Sequence, residues 1–120
     1  MPSQDFFSQI EKYQSIPAGQ PVFREGESGN SLYIVAEGEI DITRGDRVLE
    51  TVGPGGIVGE LALIDDKPRS ASAIARTDCL LAPVNREHFL ALVQRTPLFA
   101  LQVMRAMANR LRHTTELLRD

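Results

Sequence analysis

"GELALIDDKPRSAS", Gly59 to Ser72, sets one glutamate directly after a glycine in an apolar stretch, and one arginine nine residues later between a proline and a run of small residues. Charged side chains seldom lie deep in a fold without a partner, and Leu61, Ala62, Leu63 and Ile64 place this stretch against a core. A glycine-entered helical turn over Glu60 to Ile64 points backbone N–H groups at an anion, and an arginine returning after a loop neutralises that anion through a bidentate contact. Glu60 does not serve the same anion. An ionised carboxylate only accepts hydrogen bonds, so Glu60 suits a hydroxyl donor such as a ribose 2′-OH. One compact ligand with a phosphate and a free ribose hydroxyl satisfies both residues. The competing reading is a buried Glu60–Arg69 ion pair without a ligand, which is a weak source of stability.

The whole chain narrows the field around that stretch. At 120 residues and 42% hydrophobic, it suits a single domain, residues 1–120, able to bury a real core. Thirteen basic residues against sixteen acidic ones give a net charge of −3, which speaks against general affinity for nucleic acid or an anionic membrane. No apolar run reaches the length of a membrane span, and "MPSQDFFSQIEKYQ" lacks a signal peptide's basic start and long apolar stretch. The expectation is a cytoplasmic protein that binds neither membrane nor nucleic acid directly. Cys79 is the single cysteine and reads as a small core residue in "CLLAPV".

Along the chain the pattern changes once. From Tyr13 to about Val84, short β-type runs ("PVFREG", "SLYIVAEG", "EIDITRG", "RVLETVG", "SASAIAR", "CLLAPV") are separated by Gly, Pro, Asn and Asp, the spacing of a small antiparallel sandwich or jelly roll. Helix follows. Asn85 is the expected N-cap of "REHFLALVQR", and Thr96 with Pro97 opens a second helix running to Asp120, about 36 Å at the usual rise. That is longer than the core of so small a domain requires. A short amphipathic helix is expected around Phe6 to Lys12, within an N-terminal segment 1–14; the roll then occupies 15–84 and the C-terminal helices 85–120.

Several chemistries fail on the residues. His88 and His113 both fall in expected helices, whereas a metal site in a β roll draws histidines from strands, so no metal and no catalytic residues are expected. "GPGGIVGE" has neither the G-x-G-x-x-G spacing nor a following Lys-Ser/Thr, and its flanks are not βαβ. Arg44-Gly45-Asp46 is read as a hairpin turn, and Asp65-Asp66 as a solvated loop beside Lys67.

"GELALIDDKPRSAS" resembles the phosphate-binding cassette of cyclic nucleotide-binding domains, the family of protein kinase A regulatory subunits and the catabolite activator protein. "FREGESGNSLYIVAEGEIDIT" is similar to the family's early strands, with Gly26, Gly29 and Gly38 at its turn positions, and "VGPGGIVGELAL" is similar to its approach to the cassette. The resemblance implies a mainly β fold: an eight-stranded antiparallel jelly-roll β-barrel with a short N-terminal helix and a long C-terminal helix. It implies that Glu60 holds the ribose 2′-OH and Arg69 an equatorial phosphate oxygen, with Gly59, the amides of Leu61 and Ala62, and Ser70 and Ala71 lining the same site. Val58 departs from the family's frequent phenylalanine, and "DDK" from its glycine-containing loop.

Base preference is expected to favour cAMP, with cGMP as the alternative, because Ser70 alone does not decide it. "MANRLRHTTELL" is similar to the catabolite activator protein's stretch whose adjacent hydroxyls reach adenine, and Thr114 and Thr115 match those positions; tolerated seam residues are the plainer reading of both. On a helical wheel Ala100, Leu101, Met104, Met107, Ala108, Leu111, Thr114, Thr115 and Leu118 share an uncharged face, a homodimer seam, with Arg105, Arg110 and Arg112 off its centre. The reading is a non-enzymatic sensor that relays cyclic nucleotide occupancy through its C-terminal helix. Two rivals stand beside it: a ligand-independent dimerisation or docking domain with a vestigial cassette, and the sensor fragment of a transcription regulator.

Overall fold

The computed structural model describes residues 13–119, with side chains for 13–112. The alternating run "IDITR" makes β4 (Ile40–Arg44), burying Ile40 and Ile42 and turning Asp41 and Thr43 outward. It turns through Gly45-Asp46, with Gly45 at φ +60°, into β5 (Arg47–Val52), pairing Arg44 with Arg47 as a two-residue hairpin loop demands. This is the turn expected of Arg44-Gly45-Asp46. Together with β2 (Pro21–Phe23) and β7 (Ser72–Ala75), these strands form an antiparallel sheet in the order β2-β7-β4-β5.

The second sheet has the order β1-β8-β3-β6, from β1 (Gln14–Ile16), β3 (Ser31–Glu37), β6 (Ile57–Val58) and β8 (Cys79–Asn85). Its strands "SLYIVAE" and "CLLAPVN" are apolar on both faces because the sheet is covered on both sides. Toward the first sheet, Val35, Val58, Cys79 and Leu81 meet Phe23, Ile40, Ile42, Val52, Ala73 and Ala75. Away from it, Leu32, Ile34, Ile57, Ala82 and Val84 pack against the helices through Leu92, Phe99 and Val103. The eight strands of the described residues therefore make two open four-stranded sheets, face to face, and not a closed barrel. The edges β1 and β6 of one sheet carry no ladder to β2 and β5 of the other.

Asn85 ends β8 and caps α1 (Arg86–Arg95): its Oδ1 accepts from the His88 N–H at 2.8 Å. The chain breaks at Thr96-Pro97, whose carbonyls accept from Phe99 and Ala100 at 2.9 and 3.1 Å as α2 (Leu98–Arg119) begins. The expected start at Pro97 differs by one residue, within the usual fraying of helix ends, and the expected end, Asp120, lies outside the described residues. Phe89 and Phe99 tie the two helices together, with ring centroids 5.6 Å apart.

The uncharged face expected on α2 divides in two. Phe99 and Val103 are buried, and Ala106 and Met107 pack behind them on the core, so Met107 does not belong to an outer seam. Leu101, Met104 and Leu111 turn outward, 43%, 50% and 69% exposed. Cys79 is a buried free thiol, as its setting in "CLLAPV" predicts; burial pushes its pKa up, and its Sγ donates to the carbonyls of Glu39 and Thr77 at 3.2 Å. No helix of the described residues is long and apolar enough to cross a membrane. The helix expected at Phe6 to Lys12 lies outside the described residues.

Candidate functional site

The cassette opens as its sequence requires. Gly59 sits at φ +76°, a left-handed conformation that L side chains rarely adopt, and releases the chain from β6 into a 3-10 turn, Glu60–Leu63. The turn tucks Glu60 inward, leaving it 3% exposed. The Ala62 amide donates to the Gly59 carbonyl at 3.2 Å within the turn. The loop "DDK" is solvated; the Asp65 carboxylate accepts from the Lys67 N–H at 3.1 Å and stiffens it locally.

Arg69 returns at the far side of that loop and is fixed at both ends. Its backbone N–H donates to the Glu27 carbonyl, and its carbonyl accepts from the Gly26 N–H, each at 2.8 Å. Its guanidinium is 4.0 Å above the Phe23 ring. Nη1 donates to the Gly59 carbonyl at 3.2 Å, and Nη2 to the Ser31 carbonyl at 2.9 Å. Nε is buried and has no hydrogen-bond partner among the described residues. A buried orphan donor costs about 1–3 kcal/mol, and any hydrogen-bond acceptor within its reach would offset that cost. Burial lowers the pKa of Arg69, against the opposing pull of Tyr33, Glu27 and Glu60, and the side chain remains a cation. Gly29 has a role other than the turn expected of it: a Cβ there would stand 2.5 Å from Arg69 Nη2, so the glycine makes room for the guanidinium.

Glu60 does not pair with Arg69. Its Oε1 accepts from Nη1 of Arg110, which reaches in from α2. Arg110 also donates from Nε to Glu50 Oε1 at 2.8 Å, and from Nη2 to the Ile57 carbonyl at 2.6 Å. Burial works to lower the Arg110 pKa, but Glu60 and Glu50 together outweigh it and hold it above the ordinary value. An arginine expected to lie off the centre of an outward face is instead a wall of the site.

These groups share one cavity of about 550 Å³, lined by Gly59, Glu60, Leu61, Ala62, Arg69, Ser70 and Ala71, the cassette residues expected there. Ser70 is exposed at its mouth, where its carbonyl accepts from Arg44 Nε and Nη2 at 3.2 and 3.0 Å. From α2 the lining residues are Met107, Arg110 and Leu111; the side chains of Thr114 and Thr115 lie outside the described residues. Phe23, Arg44, Glu50 and Arg110, which also line the cavity, were not singled out from the sequence as site residues. A signal existed for Arg110, which follows the inward Phe99, Val103 and Met107 at helical intervals of four, four and three. No group of three or more His, Cys, Asp or Glu able to hold a metal occurs among the described residues.

The family model "Cyclic nucleotide-binding domain" matches residues 13–96, which contain both sheets, the whole cassette and α1. The chain belongs to the cyclic nucleotide-binding domain family. The domain is 42% identical over 101 residues to the cyclic AMP receptor protein of Thermus thermophilus, covering 80% of this chain and 47% of that protein. It is 42% identical over 74 residues to a cAMP-dependent protein kinase regulatory subunit of Eremothecium gossypii, covering 62% of this chain and 16% of that one. Among solved structures, the Thermus thermophilus catabolite activator protein superposes with a TM-score of 0.80 at 35% identity, over 97% of this chain and 58% of that one. The chain thus spans about half the length of the receptor it matches. These relatives are a receptor, an activator and a regulatory subunit, and small-molecule cyclic nucleotides are the ligands of the family.

Proposed function

We propose that the domain is a sensor that binds a 3′,5′-cyclic mononucleotide, cAMP in preference to cGMP, and passes occupancy to α2. The observation that carries this reading is the buried Arg69, held by carbonyls on two sides with Nε unpartnered, in the same cavity as the buried carboxylate of Glu60. In this reading Arg69 meets the phosphate, and Glu60 accepts from the ribose 2′-OH. Gly59, Leu61, Ala62, Ser70 and Ala71 shape the cavity around them. Adenine reaches the mouth of the site, where Thr114 and Thr115 supply the base contact that their resemblance implies. The relay follows from Arg110, because a helix whose guanidinium bonds Glu60 senses whatever else Glu60 bonds. Such coupling is a differential affinity of ligand for the docked and undocked helix. A homodimer through the outer face of α2, a cytoplasmic setting, a non-catalytic role and no direct contact with nucleic acid or membrane complete the reading.

The rival of a ligand-independent docking domain draws on the same ion pair, since Arg110 already occupies one oxygen of Glu60. Arg69 discriminates the two. Truncating one partner of a buried charged contact costs about 2–5 kcal/mol, so Arg69→Ala is expected to weaken cAMP binding by roughly 30-fold to several thousand-fold in calorimetric titration, and Arg69→Lys to recover part of that loss. An alanine variant that folds and titrates like the wild type contradicts the assignment.

A further inference from the structure

Glu50, on β5, is the residue that the proposed ligand contacts leave unexplained. It lines the cavity with its side chain 34% exposed, yet its carboxylate is engaged with Arg110 Nε at 2.8 Å. The two carboxylates and the Ile57 carbonyl divide three edges of one guanidinium: Nε to Glu50, Nη1 to Glu60, Nη2 to Ile57. A single N–H···O bond leaves a planar guanidinium free to swing about that bond. Bonds at Nε and Nη2 fix its plane, and with it the direction from which Glu60 Oε1 is held. Glu60 lines the cavity, and its Oε2 makes no hydrogen bond among the described residues, so one oxygen of a buried carboxylate keeps its lone pairs.

We infer that Glu50 is a positioning residue for ribose recognition, acting through Arg110 to hold the free oxygen of Glu60 where a 2′-hydroxyl can donate to it. The inference rests on the proposed cyclic mononucleotide site. It assigns to β5 a part in ligand selection although Glu50 bonds no ligand atom. It also explains why α2 docks over the cavity by way of a cation and not an apolar side chain alone. Between Glu50 and Arg110 the chain runs through β6, the cassette, β7, β8 and α1 before entering α2, so the contact reports on the docked helix as well as on the ribose.

The measurement is a calorimetric titration of the full chain, as wild type, Glu50→Ala and Glu50→Gln, with cAMP and with 2′-deoxy-cAMP. Removing a carboxylate near the cavity also alters the field on the phosphate, but equally for both ligands, so the ratio of the two affinities is the readout. The wild type should prefer cAMP by about tenfold or more, the scale of one hydrogen bond to a charged acceptor. In both Glu50 variants that preference should shrink by about three- to tenfold, the scale of coupling between groups in one network. A preference unchanged in both variants overturns the inference, whether the two affinities fall together, as for a direct contact or a general loss of structure, or stay at wild-type values. Should the alanine variant fail to fold, the ratio in the isosteric glutamine variant decides alone. A wild type that binds neither ligand sinks the functional reading itself, and a wild type that binds both equally removes the Glu60–ribose contact; each outcome is distinct from the failure of Glu50.

Discussion

Arg69 is positioned less by charge than by a lack of atoms around it. Its guanidinium fits between the Phe23 ring and two carbonyls only because Gly29 and Gly59 lack side chains; a Cβ at Gly59 would lie 2.7 Å from Nη1, and one at Gly29 would lie 2.5 Å from Nη2. Gly59 is also tied to a left-handed backbone, whereas Gly29 is not, so Gly29→Ala displaces the guanidinium without straining the chain. The tip of an arginine yields to such a clash, and the variant is expected to fold with a near wild-type melting temperature. It should bind cAMP about tenfold more weakly, a fraction of the loss on truncating the arginine itself. Wild-type affinity in a folded Gly29→Ala protein would contradict this placement of Arg69. At the residue scale Glu60 and Arg69 were legible because two charges stood out in an apolar stretch. The pairing of Arg110 with Glu50 and Glu60 was not, because those bonds join positions 60 and 50 residues apart; the period of α2 turns Arg110 inward, but no local pattern encodes over which strand it docks. The same limit misassigned Gly29, whose neighbour in space is 40 positions away in the chain.

The side chains of α2 serve three surfaces. Phe99 and Val103 belong to the core, Met107 and Arg110 to the cavity wall, and Leu101 and Met104 to an outer face half exposed to solvent. A sequence wheel shows one apolar stripe and cannot show which side of it the sheet covers, which explains why Met107 was placed on the seam. An exposed row of large apolar side chains on a helix is commonly covered by another helix. The reading predicts that wild-type protein sediments as a dimer at tens of micromolar concentration and that Met104→Glu is monomeric. Met104 suits the test because it lies on the outer face without lining the cavity, whereas Leu111 touches both. Wild-type protein that is monomeric at high micromolar concentration, with and without cAMP, contradicts the seam. The strand runs and the Asn85 cap were readable from period and turn residues, since those signals are local.

Over the whole molecule, one sheet is shared by two cores: its inner face packs on the second sheet, its outer face on the helices. The jelly-roll class was legible in the spacing of short strands, but the opening between the sheets was not, because edge-to-edge pairing is set by the twist and length of strands far apart in sequence. The cavity lies where the cassette, β5 and α2 converge. In the proposed function this arrangement reads a phosphate and a ribose hydroxyl at a fixed separation. A 3′,5′-cyclic phosphate presents them rigidly, whereas 5′-AMP must freeze its rotors to do so and carries its 3′-OH free, and that ordering costs affinity. The most direct measurement is a calorimetric titration of the wild-type chain with cAMP, cGMP and 5′-AMP under identical salt. Saturable binding of one cAMP per chain is expected, tighter than cGMP and far tighter than 5′-AMP; the absence of saturable heat with either cyclic nucleotide at millimolar concentration would overturn the proposed function.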